Sequence, residues 1–328
     1  MNEEPVAGWK PGFLNSLEVE EWAVGSLPGI EPSIDSLELY NEAGVPIDER
    51  ALTGAFARIN GIERIKRLTI GWSSSVEHLH FLQAFPGLET LILHGKCLLT
   101  LDGLQCFRGH SLEINTGDRR KRNINKITEA LITSLALVWA KPDDLEAIER
   151  CKALKHITMS RCPRLPFERW RNIPVESMHL IGGDLDELTD TVHLQQLRQL
   201  HCHDCRKLER FTGDNSRVHW MIIEACNRLD LQTLHTLPNL EYLTVVSMKN
   251  EVPFSAFATL PRLRKLSLQH CKVQFDILEL TGMTVSLEEL YVQWLKKDIA
   301  VELSAHNPGV LVTNGTWSYK NGNQLILK

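Results

Sequence analysis

An α/β solenoid built around a parallel β-sheet is the fold class that three features of the sequence predict. The first is self-similarity. LKHITMSRCPRL (154–165), LRQLHCHDCRKL (197–208), VHWMIIEACNRL (218–229) and LRKLSLQHCKVQ (263–274) align with apolar residues at places one, four and six and a cysteine at place nine. The second is recurrence: the same register extends from Leu14 to Thr313 in steps of about 20 to 24 residues, with one longer step from Ile34 to Ile65. The third is composition. A chain of 328 residues, 43% hydrophobic and 23% charged, has the apolar content to bury a core along its whole length.

The elements follow from the register. First places fall at Leu14, Ile34, Ile65, Leu88, Gly109, Ile132, Leu154, Val175, Leu197, Val218, Leu240, Leu263, Leu287 and Pro308. The fourth place is Leu, Ile or Met in every copy, from Leu17 to Leu311, and the sixth is apolar in all but the last, where it is Thr313. Strand side chains alternate between faces, so places four and six point into the core, while places three, five and seven, and place eight at the strand end, point away from it. Each strand is followed by a turn at places eight and nine and by a return segment. Segments such as LQAFPGL, LQTLHTLPNL and FSAFATLPRL carry a proline shortly before the next strand, and DDLEAIERCKAL (143–154) predicts a short helix with an acidic first turn. Glu42 and Lys96 at place nine, and Gly109 and Pro308 at place one, depart from the pattern, so repeats two, four and five are expected to turn irregularly.

This pattern resembles the leucine-rich repeat, L-x-x-L-x-L-x-x-N/C-x-L, of the ribonuclease-inhibitor and internalin-like class. The resemblance implies a horseshoe or arc with a parallel concave β-sheet and about 13 or 14 repeats. Residues 1–13 read as an N-terminal leader, 14–313 as the solenoid and 314–328 as a C-terminal β-hairpin cap turning on Asn321-Gly322. The long step contains an insertion at about 45–63, in which Pro46, Ile47, Leu52, Phe56 and Ile59 predict a helix of about three turns.

The stretch His201-Cys202-His203-Asp204-Cys205 has the composition of a metal site, but the register divides it. Cys202 is a place-six core residue and Cys205 a place-nine turn residue, a column shared by Cys162, Cys226 and Cys271. Reduced, structural thiols are expected. His201 and His203 fall on the opposite, outward face, with His179 one repeat earlier and His156 one before that. A transition-metal site of His179, His201, His203 and Asp204 is the alternative to a plain polar surface. No metal and no cofactor are expected.

The outward face is rich in aromatic residues with polar tips. Its places hold Tyr40, Trp72, His94, Trp139, His156, His179, His201, His203, Trp220, Tyr242, His270, Tyr291 and Trp294, which are 13 of the chain's 25 Trp, Tyr and His residues. Such residues are enriched at interface hot spots, which marks this face, with Arg161, Asp204 and Glu224, as a partner-binding surface. Glu18, Glu20, Glu21 and Glu38 fall on the same side of the first two repeats, with Glu113 further along, and would favour a partner with a basic patch. The basic run DRRKRNINK (118–126) falls in a return loop with no interleaved aromatic platform, which argues against nucleic acid and for a solvated loop.

A net charge of −5 and pI near 6.2 point to neither nucleic acid nor a membrane surface. The N-terminus carries no signal-peptide pattern, and no apolar run approaches a membrane span, so a cytoplasmic monomer is expected. G-x-S-x-G, Walker A, G-x-G-x-x-G and H-E-x-x-H motifs are absent, and no enzymatic activity is expected. By analogy with the resembled class, the function implied is that of an inhibitor or immunity-type protein that sequesters a protein partner, such as a toxin. An adaptor or assembly scaffold is the alternative in the same class. A nucleic-acid-binding or metal-dependent protein using the histidine cluster is the alternative outside it.

Overall fold

The structure, a computed structural model, describes residues 9–11, 15–44, 48–116, 121–275 and 286–325. The chain forms two compact units, Met1–Ile157 and Thr158–Lys328. In the first, strands β1 (Trp9–Pro11), β2 (Ser16–Glu20), β3 (Ser36–Tyr40), β4 (Arg67–Ile70), β5 (Thr90–Leu93), β6 (Ser111–Ile114) and β7 (Ser134–Val138) succeed one another. Strands β2 to β7 are parallel, each beside its neighbour in sequence, and β1 closes the edge antiparallel to β2. Strand β8 (His156–Ser160) contains the boundary between the units.

The second unit repeats the plan with β9 (Ser177–Ile181), β10 (Gln199–His203), β11 (Trp220–Glu224), β12 (Tyr242–Val246), β13 (Lys265–Gln269), β14 (Glu289–Val292) and β15 (Leu311–Thr313), all parallel. Strands β16 (Ser318–Lys320) and β17 (Asn323–Leu325) then turn antiparallel as the expected hairpin. Its turn residues Asn321 and Gly322 both have positive φ, 50° and 71°, as a two-residue primed turn requires.

The pairing register is the one the repeat dictates. In the first unit it aligns Leu17, Leu37, Leu68, Leu91, Leu112 and Leu135, and in the second Met178, Leu200, Met221, Leu243, Leu266 and Leu290. All are buried, as are the place-six residues from Val19 to Val292. Each such aliphatic side chain contributes about 1.5–3 kcal/mol by leaving water. A one-residue slip would turn a whole strand's apolar set outward. The last copy differs from the expectation. Leu290 pairs with Val312, not Leu311, and Val310 and Val312 are buried while Leu311 is half-exposed.

Return segments close the core from the other side, mostly as 3-10 turns such as His80–Ala84, Leu231–Thr236 and Phe254–Thr259. Among the described residues three α-helices occur: α1 (Glu49–Phe56), α2 (Pro142–Glu149) and α3 (Lys297–His306). Helix α1, in the long step, is capped by Asp48 and is about two turns long, shorter than expected; Pro46 and Ile47 lie outside the described residues. Phe56 at its end packs on Phe81 and Phe85, with ring centroids 5.7 and 4.8 Å away. Gly109, an odd first-place residue, is there because a Cβ would lie 2.5–2.6 Å from the Glu89 and Leu88 carbonyls and the Phe107 ring.

From Trp139 onward place eight is left-handed in every repeat: Trp139, Arg161, Gly182, Asp204, Ala225, Ser247, His270 and Trp294 all have φ between 49° and 68°. This turn aims the place-eight N–H at the next strand, giving Arg161→Ile181, Gly182→His203, Asp204→Glu224, Ala225→Val246 and Ser247→Gln269 hydrogen bonds of 2.7–3.0 Å. Place nine then drops inward. The Cys205, Cys226 and Cys271 thiols donate to the Leu180, Cys202 and Val245 carbonyls of the preceding strands at 3.4–3.6 Å. Asn41, Trp72, Gly95 and Thr116 lack the left-handed conformation, so repeats two to five turn differently.

Candidate binding surface

The alternation of β10 resolves the histidine-cysteine stretch. Cys202 and Cys205 are buried and His201 and His203 stand on the outward face. All eight cysteines are free thiols, and burial pushes Cys151 and Cys162 up to about 11 and raises Cys271. Cys205 and Cys226 are raised first by hydrogen bonding to a neighbouring thiol, Cys202 and Cys205 respectively, and then by burial.

In the second unit, parallel pairing sets His179 directly opposite His201. Their imidazoles stack at 4.0 Å with planes 1° apart, and His203 lies 6.0 Å from His201. The Nε2 atoms of both stacked rings are shielded from solvent and make no hydrogen bond. Burial, then the neighbouring histidines, pushes His179 down to about 4; burial is also the main cause lowering His201, with Glu224 opposing it. Glu224, on β11, reaches back to both β10 rings, 3.5 Å from His201 Nε2 and 4.0 Å from His203 Nε2. Among the described residues no three His, Cys, Asp or Glu side chains are placed to hold a metal ion.

Trp220 is the wall between two depressions on this face. On one side it bounds a space of about 290 Å³ with His179, His201 and Ile222. On the other it bounds a space of about 430 Å³ with Tyr242, Tyr291, Lys265 and Glu289. The indole is 43% exposed although rigid strands hold it on both sides, with Gln199 and Tyr242 as direct pairing partners. The remaining second-unit candidates sit at the turn ends. Arg161 is exposed, Asp204 pairs with Arg206 at 2.8 Å, and His270 meets Trp294 edge-on at 5.2 Å while that indole stays 67% exposed.

In the first unit, Trp72 lies over His94 at 5.8 Å, and His94 Nε2 is 3.3 Å from Glu113, which lowers the carboxyl. Tyr40 is half-buried and His156 exposed. Trp139 is 36% exposed, and its carbonyl accepts from Arg122 at 3.1 Å.

Two sequence expectations need correction here. Glu20 and Glu21 do not join Glu18 and Glu38 on an acidic face: both are buried, and the Glu21 carboxylate accepts from Ser74 Oγ, Ser75 Oγ and Ser75 N. Nor is the basic run uniformly solvated. Arg122 is 1% exposed and pairs with Asp144 at 2.6 Å, while also donating to the Val138 carbonyl at 3.1 Å. Asp144 in turn caps α2 by accepting from Lys141 N. Residues 118–120 of that run lie outside the described residues.

No helix among the described residues is long and apolar enough to cross a membrane. No protein-family model matches the sequence. No curated protein matches it either. Among solved structures, TLR13 in its complex with ssRNA13 is similar, at 14% identity and a TM-score of 0.60, over 94% of this chain and 47% of that one. The chain thus spans about half the length of the TLR13 chain it matches. Weaker likenesses are an internalin of Listeria monocytogenes (14% identity, TM-score 0.39, 92% of this chain and 86% of that one) and a leucine-rich-repeat protein of Leptospira interrogans (12%, 0.40, 92% and 95%). The repeat register, the parallel strands it builds and the TLR13 likeness together give this chain the leucine-rich-repeat fold.

Proposed function

We propose that the chain is a non-catalytic, cytoplasmic protein-binding solenoid that sequesters a protein partner on the exposed face of its sheet, as an inhibitor or immunity-type protein does. The observation that carries this reading is Trp220, a large indole held by paired strands on both sides yet left in solvent between two depressions. Its setting among Tyr242, Tyr291, His179 and His201 is that of an interface centre: aromatic, rigid before binding and polar at the edges. In this reading residues 14–313 form the binding solenoid, 314–328 its cap and 1–13 a leader. Trp72, Trp139 and Trp294 are secondary contacts, together with Tyr40, His94, His156, Arg161 and His270. The buried Arg122 weakens the nucleic-acid alternative, because it takes one cation out of the run that would meet phosphates.

Native purification of the tagged chain from its own host tests the proposal. One stoichiometric protein partner is expected. Several substoichiometric partners would favour the adaptor, and co-purifying nucleic acid without a protein would contradict the reading.

A further inference from the structure

On the outward face of β11, Trp220, Ile222 and Glu224 occupy alternate positions and form one row. Glu224 is the unbalanced charge of that row. Its side chain is 36% exposed, and its ion-pair partners among the described residues are the His201 and His203 rings alone. On its other side it is paired with Val246 of β12, and Ile222 precedes it on the same face. Nearby carboxylates already have cations: Glu289 has Lys265 at 2.9 Å and Asp204 has Arg206 at 2.8 Å. Burial works against a charge on His201, so that ring does not balance Glu224 at neutral pH. A carboxylate ringed by valine, isoleucine and imidazole is partly stripped of water, and a cation that reaches it meets less screening than at an open surface.

We propose that Glu224 receives a basic side chain, arginine or lysine, from an extended segment of the protein partner running along β11. The cation's aliphatic stem would cover Ile222, and an apolar partner residue would meet Trp220. Strand spacing fixes the pattern. Trp220 and Glu224 are four residues apart on one face, about 13 Å at the usual rise, so the partner's apolar and basic residues are four apart in an extended chain. Arginine fits better than lysine, because its planar fork can bind both carboxylate oxygens. This inference rests on the proposed protein-binding face and names the chemistry of its partner.

Selection of a phage-displayed random dodecapeptide library on the full-length chain at neutral pH provides the test. The selected peptides are then synthesised and their affinities measured for wild type, Glu224→Gln and Trp220→Ala, each variant first matched to wild type by circular dichroism and thermal melting. The expected peptides carry Arg or Lys four positions from an apolar residue, lose at least tenfold affinity with Glu224→Gln, and lose affinity again when the basic residue is changed to citrulline or norleucine. Peptides that depend on Trp220 but are indifferent to Glu224→Gln, or that lack basic residues, overturn the inference and leave the binding face standing. Peptides indifferent to both variants, or no binding peptide at all, overturn both.

Discussion

Arg122 and Asp144 are each 1% exposed and pair at 2.6 Å, so neither can lose its partner cheaply. Arg122→Ala is expected to destabilise the chain by about 3–5 kcal/mol by leaving a buried carboxylate unpaired, whereas replacing both residues by apolar ones of similar volume should recover most of that. Denaturant unfolding of the single and double variants checks this, and equal losses in both would contradict it. His179 makes a pH-dependent contribution. Its folded-state pKa of about 4 lies below the ordinary histidine value near 6.5, so the unfolded chain binds the proton more readily. Stability is therefore retained above about 6.5 and falls as pH drops from there towards about 4. His179→Gln should flatten this part of the stability profile, and an unchanged acid slope would show that the stacked pair is not its source.

At the scale of the element, the strand columns were legible because Leu, Ile and Met recur at place four without exception and a period-two element allows only one register. The last copy was misread because Val310, Leu311 and Val312 are all aliphatic, so a slip by one residue leaves the pattern intact. Arg122 and Glu21 were misplaced for another reason: their partners, Asp144 and Ser74–Ser75, lie 22 and 53–54 residues away, beyond any local pattern. The outward alternation of His179, His201 and Trp220 could be read from the strand, but not the stacking of the first two, which depends on rotamers. The left-handed place eight was also hidden, since Trp, Arg, Asp, Ala, Ser and His occupy it and only Gly182 signals it. That conformation costs non-glycine residues about 1–2 kcal/mol. Gly182→Ala, whose new Cβ would find its nearest neighbours at an ordinary 3.8 Å, should thus destabilise by about 1 kcal/mol through backbone strain alone. Ala225→Gly should gain a few tenths of a kcal/mol to about 1 kcal/mol; chemical denaturation of the pair would contradict the account if the signs were reversed.

For the molecule as a whole, repeats stack on their sequence neighbours, and the ends need covering. In the second unit the hairpin of β16 and β17 does this, tied to α3 by the Gly322 N–H donating to Ser304 Oγ at 2.9 Å. Deleting 315–328 should expose the edge of β15 and raise aggregation, with hydrogen exchange rising first in the last repeats. A truncated chain that stays monomeric with an unchanged melting profile would show that the hairpin is not a cap. In the proposed function the exposed sheet face, centred on Trp220, is the working surface. The most direct test is the affinity of Trp220→Ala for the protein partner recovered by native purification, measured by titration calorimetry beside wild type. Truncating a central interface aromatic typically costs about 2–4 kcal/mol, so a loss of at least about tenfold with unchanged folding is predicted. A well-folded Trp220→Ala chain that binds that partner as tightly as wild type would contradict the account.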